Sequence, residues 1–149
     1  MALSQDIGSG VASINALLCF GEILSQAGDT VGGLLTFHKC SLMDPSHPLP
    51  FVNTARTFNQ MGQAELALKH LHHALDLDPL YCMTHVDFAQ TSLQQGHTVE
   101  ALAQIDTALS LAKHVSEIRD VLTARHIAVI QLELEERGLY RQVGFDEEA

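Results

Sequence analysis

Residues 48–81 read PLPFVNTARTFNQMGQAELALKHLHHALDLDPLY, and this stretch decides the fold because related stretches lie on both sides of it. Gly28, Gly62 and Gly96 follow one another at intervals of 34 residues. On each side of Gly62, apolar residues recur at the three- and four-residue spacing of an amphipathic helix. The stretch therefore predicts two short helices joined at Gly62. A unit of this size cannot bury its apolar face alone, so neighbouring units have to stack.

The same pattern runs through three consecutive units, residues 14–47, 48–81 and 82–115. In the central unit the positions that carry it are Phe51, Ala55, Phe58, Gly62, Ala67, Leu71, Ala74 and Pro79. This arrangement resembles the tetratricopeptide repeat (TPR), a family whose unit is a helix-turn-helix of 34 residues. The resemblance covers about two thirds of the chain.

Departures from the family pattern are concentrated in the outer units. Gly33 and Cys40 stand in the first unit where the family has alanine, so one small residue replaces another. The third unit has His85 and Ser92 at two positions that are usually aromatic, and Lys113 in place of the closing proline. The third unit is therefore the most degenerate of the three.

The resemblance implies an all-α fold, a right-handed superhelical TPR solenoid of three helix-turn-helix repeats plus a C-terminal capping helix. We expect a flexible lead-in at residues 1–9 and a single TPR domain at 10–137. Helical spacing of apolar residues continues over 116–137 without a turn glycine at position 130, which favours one capping helix over a fourth repeat. Residues 138–149 are expected to form an acidic tail.

The sequence also predicts local roles for several residues: helix N-caps, a close approach between helices, and buried cysteines. Asp29 and Thr98 are predicted N-caps. Gly33 follows another glycine inside a predicted helix, which suggests that a neighbouring backbone approaches it closely. The three cysteines, an odd number without paired spacing, are predicted to be small core residues of a reducing compartment, with the cytoplasm as default: Cys19, Cys40 and Cys82.

The formal net charge of −10, with only eight Lys and Arg residues, argues against binding to nucleic-acid phosphates or anionic membranes. No apolar run approaches the ~20 residues that span a bilayer, so membrane insertion is not expected. No cofactor motif is evident. The predicted partners are other proteins, and neutral or basic peptides are the electrostatically favourable class.

In the family, the first helix of each repeat lines a concave groove, and the resemblance implies which residues of this chain point into it. They are Asn15, Leu18, Glu22, Gln26, Val52, Arg56, Asn59, Gln60, Val86, Gln90, Leu93 and Gln94. TPR domains that bind the acidic C-terminus of heat-shock chaperones clamp two carboxylates with Lys and Asn at particular groove positions. This chain has Leu18 and Glu22 at the first two of those positions, so we do not expect it to bind such a tail by default.

The nine histidines raise the alternatives of a metal site or a catalytic site. His70, His73 and Asp76 lie one helical turn apart, but a solvated helix face is the favoured interpretation. His85 and His126 fall at core aromatic positions, where a packing role is favoured over catalysis. Because no local nucleophile motif is present, we expect the chain not to be an enzyme.

Two functions remain open from the sequence. The favoured one is a non-catalytic scaffold, a structural or accessory subunit of a larger protein assembly. The alternative is a soluble adaptor of the co-chaperone or import-receptor type, which binds an extended or helical peptide in its groove. Residues 101–122 are weakly similar to the closing repeats of TPR-type mitochondrial import receptors. Apolar residues of the tail, such as Leu139 and Phe145, suggest either a docking surface or packing onto the last helix.

Overall fold

The computed structural model describes residues 10–138, which form seven α-helices and no strand, so the predicted all-α fold class is confirmed for that range. The helices are α1 Gly10–Gln26, α2 Thr30–Met43, α3 Leu49–Gln60, α4 Ala64–Leu77, α5 Cys82–Gln94, α6 Thr98–Leu111 and α7 Val115–Glu136. The predicted lead-in 1–9 and residues 139–149 of the tail lie outside the described residues. None of the described helices combines the length and apolarity needed to cross a membrane.

The helix pairs are joined at glycines in the left-handed backbone region. The φ angles of Gly28, Gly62 and Gly96 are 96°, 76° and 80°. Residues that have a Cβ atom rarely adopt this backbone conformation. The regular spacing of these glycines in the sequence therefore reflects one turn geometry used three times. Gly138, with φ of 70°, ends α7 in the same way.

The chain divides into two compact units, the first ending at Pro79 and the second beginning at Leu80. In the first unit α1 packs on α2 and α3 packs on α4, while α3 also contacts α1 and α2. In the second unit α5 packs on α6, and α7 contacts both of them. Each unit is thus built from antiparallel helix pairs that share contacts with the next helix along the chain.

The second helix of each pair buries the same pattern of three residues, which we call the buried stripe. It consists of a small residue, a large residue four positions later, and another small residue three positions after the large one. The three stripes are Gly33, Phe37 and Cys40; Ala67, Leu71 and Ala74; and Ala101, Ile105 and Ala108. Residues at these spacings lie on one helix face. The small residues let the paired helix approach, and the large residue fills the space between them.

The closest approach of this kind joins α2 to α1 at Gly33. A Cβ built on Gly33 would lie 3.0 Å from the carbonyl oxygen of Gly21 and against the Ser25 hydroxyl. The expectation that a backbone comes close to Gly33 is therefore confirmed. On the same side of the pair, the Phe37 ring lies over Gly21, where no side chain is present.

The start of α7 is fixed by a carboxylate. Glu117 Oε2 accepts hydrogen bonds from the backbone N–H groups of Lys113, at 2.9 Å, and His114, at 3.1 Å. These two bonds lower the pKa of the Glu117 carboxyl, because they stabilise its ionised form. The Glu117 side chain also interacts with the Cys82 thiol of α5, so the beginning of α7 is tied to α5.

Three sequence-based predictions are corrected by the structure. Cys19 is exposed, because it lies on the side of α1 away from α2, whereas Cys40 and Cys82 are buried as predicted. His126 is exposed rather than packed in the core, because α7 buries Val121, Ala124 and Ala128 instead.

The predicted N-caps have different outcomes. His97 and not Thr98 is the N-cap of α6, and the buried Thr98 hydroxyl donates to Glu135 Oε1 at 2.8 Å. The cap at Asp29 is confirmed, since its carboxylate accepts from the Gly32 N–H.

We predict that Gly33→Ala destabilises the protein by about 1–2 kcal/mol. Alanine improves helix propensity by about 1 kcal/mol, but overpacking at this site costs about 2–3 kcal/mol, because the Gly21 backbone cannot move aside cheaply. Urea-induced unfolding followed by circular dichroism measures the change. Val31→Ala is the matched control, because Val31 is exposed on the same helix. Its effect should stay within about 0.5 kcal/mol. Equal stability of the Gly33 variant and the wild type would contradict this packing.

Candidate functional site

A concave pocket of about 180 Å³ lies in the first unit between α1 and α3. From α1 it is lined by Glu22, Ser25 and Gln26, from α2 by Phe37, and from α3 by Asn53, Arg56, Thr57 and Gln60. The residues of α1 and α3 recur at three- and four-residue spacing, so each helix presents one polar stripe to the pocket. We call this pocket the α1–α3 groove.

Buried hydroxyl groups form the floor of the α1–α3 groove. The Thr57 hydroxyl donates to the backbone carbonyl of Asn53 at 3.0 Å, one turn earlier in α3. Its single proton is used there, so Ser25 is the donor in the 3.0 Å hydrogen bond between the two hydroxyls. This bond joins α1 to α3 and fixes the distance between the two walls.

Charged and amide side chains form the rim. Arg56 Nη1 donates to the side-chain oxygen of buried Asn53 at 3.4 Å, which holds the guanidinium over the floor. Glu22 lines the opposite wall, and both charged side chains are half-buried. Gln26 and Gln60 are exposed at the mouth of the groove. The groove thus offers a cation, an anion and two amides on a polar floor.

Four of the predicted groove residues are buried: Leu18, Val52, Val86 and Leu93. Leu18 packs with Phe37 and Cys40, while Val86 and Leu93 belong to the cluster around Ile105. A groove role for these four residues stays a prediction, because burial alone does not exclude one: Asn53 and Thr57 are equally buried and line the α1–α3 groove.

The other predicted residues divide between the two units. Glu22, Gln26, Arg56 and Gln60 are brought together in the α1–α3 groove, whereas Asn15 is exposed on α1 and does not line it.

Asn59 is half-buried on α3, and Gln90 and Gln94 are exposed one turn apart on α5 in the second unit. A role for these three residues in a groove stays a prediction.

The predicted groove residues omit four that line this groove: Ser25, Phe37, Asn53 and Thr57. Asn53 and Thr57 form its floor, and Phe37 reaches it from the second helix of the first pair. The sequence does carry a signal for Asn53 and Thr57, because polar residues recur at positions 53, 56, 57 and 60, which is one face of a helix. Nothing local in the sequence indicates that Phe37 reaches this groove.

A second pocket, of about 200 Å³, is lined by aromatic side chains of the first unit, among them Phe37, Phe51 and Phe58. The ring of His70 stacks on Phe58 with centroids 5.4 Å apart, and His73 meets Phe51 edge-on at 4.3 Å. The solvated-face interpretation is therefore wrong for His70, which is half-buried. Burial of its ring is the largest cause that lowers the pKa of His70, and the nearby charges of His73 and Lys69 lower it further.

Within residues 10–138 no group of three His, Cys, Asp or Glu side chains could hold a metal ion.

Pocket size limits what the α1–α3 groove can hold. Sites for drug-sized molecules and cofactors usually enclose about 300–1,000 Å³. A groove of about 180 Å³ that is open to solvent instead fits one or two side chains of a longer ligand. The paired polar walls offer donors and acceptors to a peptide backbone or to amide side chains.

No family model matches the sequence, and no curated protein is similar to it at a significant level. Solved structures are similar to it in fold. The type III secretion chaperone SycD of Yersinia enterocolitica, in complex with a peptide of the translocator YopD, is 18% identical with a TM-score of 0.72, over 84% of this chain and 95% of SycD. The TPR2B domain of yeast Sti1, in a complex with pHsp70, is 16% identical with a TM-score of 0.71, over 79% of this chain and 97% of that one. The first TPR of Spaghetti (RPAP3), bound to the HSP90 peptide SRMEEVD, is 14% identical with a TM-score of 0.66, over 78% of this chain and 95% of that one.

These likenesses confirm that the chain has the fold of TPR domains, as its 34-residue pattern predicts. At such low identity they carry no information about individual site residues. The similarity to mitochondrial import receptors stays a prediction.

We predict that Thr57→Val destabilises the protein by about 1–2 kcal/mol, because the buried Ser25 hydroxyl loses its acceptor. The double variant Ser25→Ala/Thr57→Val removes both partners and should lose less than the sum of the two single variants. Chemical unfolding of the four proteins gives the coupling energy. Additive losses would contradict the hydrogen bond between the two walls.

Proposed function

We propose that the chain is a non-catalytic protein-interaction module that binds a peptide segment of its partner in the α1–α3 groove. The observation that carries the proposal is the polar floor and rim of that groove, with Arg56 and Glu22 on opposite walls. Solved structures of the same fold include domains bound to a YopD peptide and to an HSP90 peptide, which supports protein binding as the general role.

The charges of the groove select the ligand. Glu22 and Arg56 together favour a segment without a strong charge of its own, or one that presents opposite charges in matching order. Gln26 and Gln60 add hydrogen-bonding groups at the mouth, where a peptide backbone is best reached. A neutral, amide-rich peptide is therefore the favoured class of ligand.

A second candidate function is that of a permanent subunit in a larger assembly. Large apolar side chains are exposed on α1 and α2, with Phe20 54% and Leu42 69% exposed. Leu17, Lys39 and Met43 line a further apolar pocket there, of about 280 Å³. Contiguous exposed apolar surface is typical of protein–protein interfaces, so this observation favours docking to other subunits.

We predict that peptides selected from a random phage-displayed library on the full chain bind through the α1–α3 groove. The double variant Gln26→Ala/Gln60→Ala should weaken the best peptide by about tenfold or more, measured by fluorescence anisotropy. Gln63→Ala is the matched control, because Gln63 is an exposed glutamine that does not line the groove. Affinity that is insensitive to the double variant would overturn the proposal.

The peptide SRMEEVD serves as a second ligand in the same assay. It should not bind, because Leu18 and Val52 are buried at positions where a carboxylate clamp needs polar donors, and Glu22 repels an acidic ligand. Failure to select any peptide, together with self-association or precipitation of the isolated chain, would instead support the permanent subunit.

A further inference from the structure

The floor of the α1–α3 groove contains an amide nitrogen without an acceptor. Asn53 is only 4% exposed, and it lines the groove. Its side-chain oxygen accepts from Arg56 Nη1, and because a guanidinium only donates, this contact fixes which end of the amide is the oxygen. Among residues 10–138 no acceptor is bonded to Asn53 Nδ2. Leaving such a nitrogen unbonded is costly, so a ligand oxygen is expected beside it.

The nitrogen can be reached from the groove. In the described part of the chain, three side-chain polar atoms are both fully enclosed and unbonded, and they are Asn59 Oδ1, Thr84 Oγ1 and Ser92 Oγ. Asn53 Nδ2 is not among them, so it is not sealed inside the core.

The opposite wall offers a carboxylate in a matching situation. Glu22 of α1 is half-buried and lines the same groove. Among the residues that the structure describes, its carboxylate forms neither a hydrogen bond nor an ion pair. The hydroxyl protons of Ser25 and Thr57 are both used within the floor, so neither is available to Glu22. The groove thus has unused donors on α3 and unused acceptors on α1.

A primary carboxamide matches both groups at once. Its carbonyl oxygen accepts from Asn53 Nδ2, and its NH2 group donates to the Glu22 carboxylate. We propose that the α1–α3 groove recognises the side-chain carboxamide of a glutamine or asparagine of its peptide ligand, held between Asn53 and Glu22. This inference rests on the proposed function and adds to it the chemistry of the ligand side chain that reaches the floor.

Other side chains leave one of the two groups unsatisfied. Lys and Arg only donate, so they could bind Glu22 but would leave Asn53 Nδ2 without an acceptor. Ionised Asp and Glu only accept, and they would bring a second carboxylate toward Glu22. An apolar side chain of the same size would cover both groups without bonding either.

The floor also suits a side chain better than a peptide backbone. A backbone amide carries a residue on each side, whereas a carboxamide is the narrow end of a flexible side chain. The groove measures about 180 Å³, which is room for one or two side chains. Gln26 and Gln60 at the mouth are placed to bond the peptide backbone, so one side chain extends from there to Asn53.

The probe is the tightest peptide selected from the phage-displayed library on the full chain, synthesised with a fluorophore. Each glutamine in it is replaced in turn by Glu and by Met, and each asparagine by Asp and by Leu, so that size is kept while charge or hydrogen bonding changes. At one position both replacements should weaken binding about tenfold or more, because each leaves Asn53 or Glu22 without a suitable partner. Fluorescence anisotropy measures the affinities.

Variants of the protein test the two walls separately. Glu22→Gln removes the repelling charge, so the peptide with the acidic replacement should bind to within about threefold of the original peptide. Glu65→Gln is the matched control, because Glu65 is an exposed carboxylate of α4 that does not line the groove. It should leave the discrimination unchanged. Asn53→Asp keeps an acceptor for Arg56 but loses the amide donors, and should weaken the original peptide about tenfold or more.

Two results would overturn this inference and leave the proposed function standing. The first is a selected peptide that depends on Gln26 and Gln60 but has no glutamine or asparagine, or tolerates both replacements at every such position. The second is a Glu22→Gln variant that rejects the acidic replacement as strongly as the wild type does. Failure to select any peptide would overturn the proposed function and this inference together.

Discussion

The contact between the small residues of each second helix and the backbone of its partner helix determines most of this structure. At Gly33 the contact is so close that the Gly21 carbonyl oxygen occupies the space next to a missing Cβ. At the same positions of the later second helices, Ala67, Ala74, Ala101 and Ala108 are small and fully buried. Since large residues at these positions would push the helices apart, the stripe fixes the spacing on which all other contacts depend.

The groove is a consequence of this spacing. Once α1 and α2 are held together, α3 packs against both, and the Ser25–Thr57 hydrogen bond sets the separation of α1 and α3. Polar side chains one turn apart on both helices then converge on a small concave space. A rigid, hydrogen-bonded floor of this kind needs little reorganisation when a ligand binds, which is why we assign binding to it and not to the exposed apolar surface of α1 and α2.

Much of the fold follows directly from the sequence, and less of the site does. The turn glycines and the helix bounds are predictable because local backbone preferences and helical periodicity determine them. Glu22, Gln26, Arg56 and Gln60 all line the α1–α3 groove, and their role in binding a peptide stays a prediction. Leu18 and Val52 are buried and are not among the residues that line this groove. Repeat numbering gives the direction of a side chain only approximately, and burial depends on which helix covers that side chain. The exposure of apolar residues on α7, such as Val115 and Leu122, was missed for a related reason, since apolar periodicity reveals a helix but not how many of its sides are covered.

The measurement that tests the packing most directly is the reaction of native thiols with Ellman's reagent. Cys40 belongs to the buried stripe of α2, and Cys82 lies in the core of the second unit, whereas Cys19 is exposed. Burial also raises the pKa of both the Cys40 and the Cys82 thiols, which keeps them in the unreactive protonated form. We expect one thiol of the native chain to react rapidly and all three to react in denaturant. Rapid reaction of Cys40 in the native protein would contradict the account of how these helices pack.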